Sequence, residues 1–392
     1  MTRVLVIGGG IAGTAVALAL HKAGLQVAVF EAHPDTAEDI GAFLTLASNG
    51  MRALAQLDAT DAVTAIGFPL TSMRLLDSQG VESARAPMGE ADDPALSYRC
   101  LRRGELNAAL QAEAVRRGIA LHHGTRLLSV DDGPDGVTAR FSDGSTVTGD
   151  LLIGADGLNS TVRRLIAPGM RPGYAGQRVF YGYTDGGPSD DGTGHITMVR
   201  GTEAAFGYAV SPEGETYWFA RVAGEPLPAD ELAHATPAAW RDRLVPLLRE
   251  DATPAADIVA ASTGRVMVTN ATEMPLGTAW HAGRSLIIGD AAHAASPATG
   301  QGASMALEDA VVLAKSLRDT PDTRTAFSLY ETCRRPRVEH NITVSGQLSR
   351  STHAVSGTVR GRPAPRPGDD ELARLLDWDT DIRTAYGEAP AP

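Results

Sequence analysis

Three stretches of the chain hold residue types whose spacing suits chemistry on a ligand. Near the N-terminus, Gly8, Gly10 and Gly13 stand at G-x-G-x-x-G spacing, with Ile11 and Ala12 between the last two and Glu31 some way downstream. Glycines so spaced allow a tight turn, a close approach of backbone to a pyrophosphate, and close helix–strand packing. An acid about 20 residues further on accepts hydrogen bonds from a ribose diol and repels a phosphorylated one. In the middle of the chain, Asp156 lies in Gly154-Ala155-Asp156-Gly157. Towards the C-terminus, Asp290 lies in Gly289-Asp290-Ala291-Ala292-His293, followed by Pro297 and by Gly300-Gln301-Gly302-Ala303. A carboxylate after a strand end can hold a ligand hydroxyl, and a glycine-opened helix turns free N–H groups towards negative charge. The first motif alone fits NAD and FAD equally.

The surrounding pattern supplies the elements that must position these residues. Residues 2–7 form a short apolar run rich in β-branched residues, as a buried strand would. A helical pattern then runs through Ala15, Leu18, Ala19 and Ala23 to Gly24 at a C′ position, and 26–30 is a second strand. Residues 41–46 read as a short strand or extended segment, with Ser48 and Asn49 capping a helix through Met51, Leu54 and Leu57. A hairpin is expected over 70–83, a helix over 103–117, and a second hairpin around Asp143-Gly144. Residues 151–153 and 285–288 are buried strands leading into the second and third motifs. From 169 to 264 the chain changes character. Strands at 178–183, 195–199, 204–210 and 216–222 alternate or carry aromatics, interrupted by a helix at 238–249, and read as a mostly antiparallel sheet. After Gly300 to Ala303 a helix is expected through Ala306, Ala310, Leu313 and Leu317, with others at 326–347 and 370–377, a Gly/Pro/Arg-rich loop at 355–369 and a frayed tail at 389–392.

Composition narrows the class. The net charge of −12 argues against a nucleic-acid or anionic-membrane partner. The two cysteines, Cys100 and Cys333, form no CxxC, so a reducing compartment and the absence of a metal site are the simpler reading. The N-terminal apolar run is too short for a signal peptide or a membrane span, and a cytoplasmic location is expected.

Taken together, the three motifs resemble the class A flavoprotein monooxygenases, the p-hydroxybenzoate hydroxylase-like family. The segment 152–163, the segment 286–310, Gly41 to Asn49, and Arg103 with Leu106 and Leu110 extend that likeness over nearly the whole chain. It implies an α/β fold: a Rossmann-like FAD-binding domain with an inserted, mostly antiparallel substrate sheet and C-terminal helices. The division expected is 1–69, 98–168 and 275–350 for FAD, 70–97 and 169–274 for substrate, and 351–392 as a terminal loop and helix. It also implies roles. Gly8, Gly10, Ile11, Ala12, Gly13 and Glu31 hold the adenosine half of FAD, and Arg103 reaches the diphosphate or ribityl region. Leu127 offers backbone to the adenine, and Asp156 sits in a segment shared by FAD and NAD(P)H. Asp290 accepts from a ribityl hydroxyl, while Gly300, Gly302 and Ala303 open a helix facing the flavin pyrimidine edge. NADH or NADPH would reduce the flavin, which with O2 gives a C4a-hydroperoxide that oxygenates an aromatic or polyketide-like small molecule. Hydroxylation is the leading outcome; epoxidation, Baeyer–Villiger insertion and a flavin-binding protein without turnover are the alternatives. No metal or protein nucleophile is required.

Several residues have blander readings. Asp156 is open between FAD contact and anchoring its own turn. His293 is read as a structural hydrogen-bonding residue, and Glu308 and Asp309 as helix-surface or packing residues. Tyr181, Tyr183, Phe219 and Pro297 are the candidate pocket walls, with Trp218 facing away from Phe219 by strand alternation. Arg200 and Arg221 are read as exposed strand charges in preference to partners for an acidic substrate. The arginines at 360, 362 and 366 receive no nucleic-acid role. A halogenase reading lacks its W-x-W-x-I-P signature.

Overall fold

The protein is described by a computed structural model covering residues 2–37, 41–89, 93–133, 135–188, 192–350 and 369–385. The expected loop up to 368, with Arg360, Arg362 and Arg366, and the tail at 389–392 lie outside the described residues.

The apolar run Arg3–Ile7 lies inside a six-stranded sheet, where Val4, Leu5 and Val6 have no exposed surface. The strand order is His281–Ala282, Ser285–Ile287, Leu151–Gly154, Arg3–Ile7, Gln26–Phe30, Ala120–His122. All neighbours are parallel except the first pair. From Arg3–Ile7 the chain moves to Gln26–Phe30 on one side and returns later as Leu151–Gly154 on the other. That reversal creates a crevice beyond the carboxyl ends of the two strands, where ligands bind in open α/β sheets. Helix Ile11–Lys22 is buried on most of its circumference, residues 14–20 having no exposed surface, because helix Gly302–Asp319 covers the side away from the sheet. It ends as its sequence predicts: Gly24 takes φ +81° and Leu25 N–H donates to Leu20 O at 3.0 Å.

The middle of the chain forms a seven-stranded sheet, ordered Met267–Glu273, Gly173–Asp185, Glu215–Ala223, Ala204–Val210, His195–Arg200, Ser72–Leu76, Glu82–Pro87. It is antiparallel except where Ser72–Leu76 joins His195–Arg200, so the expected hairpin at 70–83 forms its edge. Alternation gives the sheet two faces. Phe180, Phe206, Tyr208 and Trp218 pack with helices Pro237–Arg249 and Ala255–Ala261. Tyr181, Tyr183, Tyr217 and Phe219 face the other way, against Phe43 and Phe68. Those two phenylalanines belong to a small sheet of Phe43–Leu46, Tyr98–Arg102 and Phe68–Leu70, which leads into helix Arg103–Arg116. The second face is thereby turned towards the first sheet.

Two local expectations differ from the structure. Neither Ser48 nor Asn49 caps helix Ser48–Gln56; Ala47 is its N-cap, and Asn49 instead donates to Gln301 Oε1 (3.1 Å) and Glu308 Oε1 (2.5 Å). A long-range polar partner outcompetes the local cap. Helices Ala229–His234 and Ala255–Ala261 had no clear sequence signal, since two turns are too short for a 3.6-residue period to show.

Candidate cofactor and substrate site

The three motifs meet at the crevice. Gly8 takes φ +101°, and a Cβ there would lie 2.5 Å from Ala155 O, so the second motif is pressed against the first. A Cβ on Gly13 would lie 1.8 Å from Gly8 O, and one on Gly289 2.9 Å from Ala12 Cβ, which brings the third motif onto the first helix. Gly10 is different: nothing lies within 4 Å of a Cβ built on it. Its neighbours Ile11, Ala12 and Gly13 precede the first bond of the helix, Thr14 N–H to Gly10 O at 2.9 Å, so their N–H groups face that open space. A tight turn, a close-packed glycine and an open glycine at a helix N-terminus together fit a dinucleotide pyrophosphate.

Glu31 sits beside this space with both oxygens oriented by backbone. Gly9 N–H donates to Oε2 at 2.5 Å and His33 N–H to Oε1 at 2.6 Å. Each oxygen keeps a further lone pair for a ribose hydroxyl. Gln111, buried on helix Arg103–Arg116, donates Nε2–H to Gly9 O at 2.7 Å and holds the turn from behind. Sequence reading missed it, because one glutamine within a helical repeat carries no sign of a partner 102 residues away. Leu127 is buried at the start of Leu127–Gly133, in a separate three-stranded sheet.

Asp290 is exposed at the first position of the short helix Asp290–His293. Arg103 is exposed at the start of its own helix, beside Gly41. Among the described residues neither side chain has a hydrogen-bond or ion-pair partner. Gly300 takes φ +66°, with Thr45 Oγ1 3.1 Å from its built Cβ, and it turns the chain into Gly302–Asp319. That helix has no side-chain cap, and the surroundings of Gly302 are open. Its first N–H groups can meet an anionic ligand edge. Asp156 is placed differently from these. It accepts from Ser160 Oγ (2.5 Å), Thr161 N–H (2.6 Å) and Val162 N–H (3.1 Å), tying its loop to helix Thr161–Ile166. The turn-anchoring reading has direct geometric support.

A buried ionic cluster fixes the third motif. Glu308 and Asp309 have no exposed surface, so they are not helix-surface residues. Arg334, equally buried, pairs with Glu308 and with Asp309 Oδ1 (2.8 Å), and Arg337 adds a bond to Glu308 Oε2 at 2.9 Å. Burial pushes both carboxyls up, but the facing cations win and hold them below the usual carboxylate range. For Glu308 these are Arg334 and Arg337; Asp309 is held low by its contact with His293 and by the Arg334 cation. Asp309 Oδ2 accepts from Gly289 N–H (3.0 Å) and meets His293 Nε2 at 2.6 Å, which makes His293 structural, as its sequence reading has it. Arg163 donates Nη1–H to Ala291 O at 3.0 Å and joins the second motif to the third. Arg163, within the second motif, and Arg334, which sequence reading did not single out, hold the motifs together.

The aromatic face of the seven-stranded sheet stands opposite. Phe43 lies 6.2 Å from Tyr181, 6.4 Å from Tyr183 and 6.2 Å from Phe219, ring centre to ring centre. Arg102 lies 4.2 Å from the Tyr183 ring and pairs with Glu215 Oε2 at 2.6 Å, bracing that end of the face. The Tyr183 hydroxyl is buried without a partner. Burial pushes the Tyr181 phenol up to about 12. Pro297 is exposed at the start of the turn Pro297–Thr299. Arg221 corrects its sequence reading: it is 7% exposed, with Nε and Nη1 buried and unpartnered. Arg200 is half-buried, and its Nε is also without a partner.

Comparison with known proteins places these features in a lineage. The family described as "FAD binding domain" matches residues 1–345. The aurachin C monooxygenase/isomerase of Stigmatella aurantiaca is 31% identical over 393 residues, covering 97% of this chain and 96% of that protein. A kynurenine 3-monooxygenase of Salinispora tropica is 31% identical over 400 residues, covering 95% and 85%. Among solved structures, HpxO of Klebsiella pneumoniae, in complex with FAD and uric acid, is 27% identical with a TM-score of 0.80, covering 98% of this chain and 95% of that one.

Proposed function

The chain belongs to the p-hydroxybenzoate hydroxylase-like FAD-dependent monooxygenases, and from that premise we propose that it hydroxylates an aromatic small molecule with NADH or NADPH as electron donor. The observation that carries the reading is the meeting of three sequence-distant loops around the open space at Gly10, opposite an aromatic sheet face. Held there, FAD would supply the redox chemistry of the reaction NAD(P)H + H+ + O2 + substrate to NAD(P)+ + hydroxylated substrate + water.

The chain's own residues bind, orient and exclude water. Ile11, Ala12 and Gly13 offer N–H groups to the pyrophosphate, and Glu31 accepts from the adenosine ribose. Arg103 offers its free guanidinium to the diphosphate, and Asp290 accepts from a ribityl hydroxyl. The N-terminus of Gly302–Asp319 favours negative charge on the pyrimidine edge of the reduced ring. Tyr181, Tyr183, Phe219 and Pro297 wall the substrate space, and their apolar surface keeps water from the reactive oxygen. The names of the relatives support an aromatic substrate: kynurenine for one, aurachin C for another.

The test is aerobic oxidation of NADH and NADPH across a panel of phenols and amino-aromatic compounds, with isotopically heavy O2. The expected result is oxidation stimulated by one class of ligand, with a single heavy oxygen atom in the product. Stimulated oxidation that yields only hydrogen peroxide, with every ligand recovered unchanged, contradicts monooxygenation.

A further inference from the structure

The turn that opens helix Gly302–Asp319 carries a side chain whose polarity is set from a distance. Gln301 is half-buried and is the N-cap residue of that helix, with Gly300 before it and Gly302 after it. The segment 45–50 covers one side of the turn. Thr45 Oγ1 lies 3.1 Å from a Cβ built on Gly300, Ala47 N–H donates to Ser304 Oγ at 3.1 Å, and a Cβ on Gly50 would lie 2.8 Å from Ser304 Oγ. At Gly302 the turn is open, with nothing within 4 Å of a Cβ built there.

Asn49, on the covered side, joins this turn to the buried ionic cluster. It meets Glu308 Oε1 at 2.5 Å and Gln301 Oε1 at 3.1 Å. The two ends of an amide are alike in shape, so the direction of these bonds follows from charge. Burial would raise the Glu308 carboxyl, but Arg334 and Arg337 hold it below the usual carboxylate range. An ionised carboxylate only accepts. The Asn49 group facing it is therefore the NH2, which has a second hydrogen to give. The Gln301 atom that receives this hydrogen is in turn the carbonyl oxygen. A reversed Gln301 amide would set donor against donor. Gln301 is left with its own NH2 group turned away from Asn49, and among the described residues that nitrogen has no partner.

We propose that Glu308, acting through Asn49, locks the Gln301 amide with its N–H donors towards the bound flavin, which makes Gln301 a side-chain donor to the pyrimidine edge and Asn49 a positioning residue. The inference rests on the flavin monooxygenase reading. Reduction places negative charge on that edge, so a donor fixed there holds reduced FAD more tightly than oxidised FAD. That difference raises the potential at which the bound flavin accepts electrons.

The test compares wild type, Gln301→Leu, Asn49→Leu and the double variant. For each, the two-electron reduction potential of bound FAD is measured against a redox dye, with the dissociation constant of oxidised FAD and the melting temperature of the apoprotein. Gln301→Leu is expected to weaken reduced FAD relative to oxidised FAD roughly ten-fold or more, the worth of one hydrogen bond to a charged group. Ten-fold corresponds to a potential about 30 mV lower. Its apoprotein should melt with the wild type. Asn49→Leu should lower the potential by freeing the amide to turn, and the double variant should fall no further than Gln301→Leu. An unchanged potential in Gln301→Leu, or equal weakening of both oxidation states, overturns the proposal, because the amide then faces solvent or merely holds the ligand. An unchanged potential in Asn49→Leu, or additive falls in the double variant, overturns it too, because Asn49 then does not act through Gln301. Should Asn49→Leu fail to fold, Asn49→Ser, which leaves room for water at Glu308, takes its place under the same criteria. A wild type that holds no flavin defeats the monooxygenase reading itself, and that result is read before any potential is measured.

Discussion

At the scale of single residues, the glycines of the first motif separate into two physical kinds. Gly13 is closed in: a methyl group there would overlap Gly8 O, 1.8 Å away, and backbone cannot yield cheaply. Gly13→Ala is expected to lower stability by about 2–4 kcal/mol, through overpacking against backbone, read by denaturant unfolding of the apoprotein. Gly10 is open, and its φ of −73° and ψ of −174° suit any residue. Gly10→Val is therefore expected to leave the apoprotein melting temperature within a degree or two while abolishing FAD retention. Asp290→Ala follows the same logic, since the carboxylate has no partner among the described residues. Loss of one hydrogen bond from a charged group is worth about 1.5–3 kcal/mol, so FAD affinity should fall roughly 10- to 150-fold with apoprotein stability unchanged. The glycine turn was legible in the sequence because its geometry is local. Arg221 was misread for the opposite reason: burial on a sheet depends on what covers it, and strand alternation gives the face but not the cover.

At the scale of elements, the strands and long helices were legible because apolar periodicity reflects burial directly. Arg3–Ile7, Gln26–Phe30 and Leu151–Gly154 read as continuous apolar runs because both faces of a parallel sheet are covered. What ties the elements together was not legible. Helix Gly302–Asp319 is locked to Thr323–Arg350 by Arg334, and to Ser48–Gln56 by the Asn49 bonds. Such pairs, 25 to 259 residues apart, leave no periodic trace. Arg334→Met removes the cation between two buried carboxylates and is expected to cost about 3–5 kcal/mol, read by chemical unfolding. The same cluster sets a pH dependence. Glu308 and Asp309 titrate lower folded than unfolded, so the unfolded chain takes up their protons first as pH falls. Their contribution is complete above about pH 5 and is lost as pH drops through about 4 towards the depressed folded values. The stability gap between wild type and Asp309→Asn should accordingly narrow between about pH 5 and pH 3. A gap that stays constant across that range would show that the cluster does not set the pH dependence.

At the scale of the whole molecule, two sheets with different connectivity share one crevice. The parallel sheet brings three loops to its carboxyl ends, and the antiparallel sheet turns an aromatic face towards them. A cofactor lying between them binds only the folded chain. FAD at a hundred times its dissociation constant should therefore add about 2.7 kcal/mol of stability, read as a concentration-dependent rise in melting temperature. No helix among the described residues is long and apolar enough to cross a membrane. Whether FAD occupies the space at Gly10 is read from flavin stoichiometry by visible absorption. Wild type and Gly10→Val would be purified side by side and soaked with FAD. One FAD per wild-type chain is expected, and almost none in a variant that melts at the same temperature. Full loading of the variant, or a wild type that takes up no flavin, would contradict that occupancy.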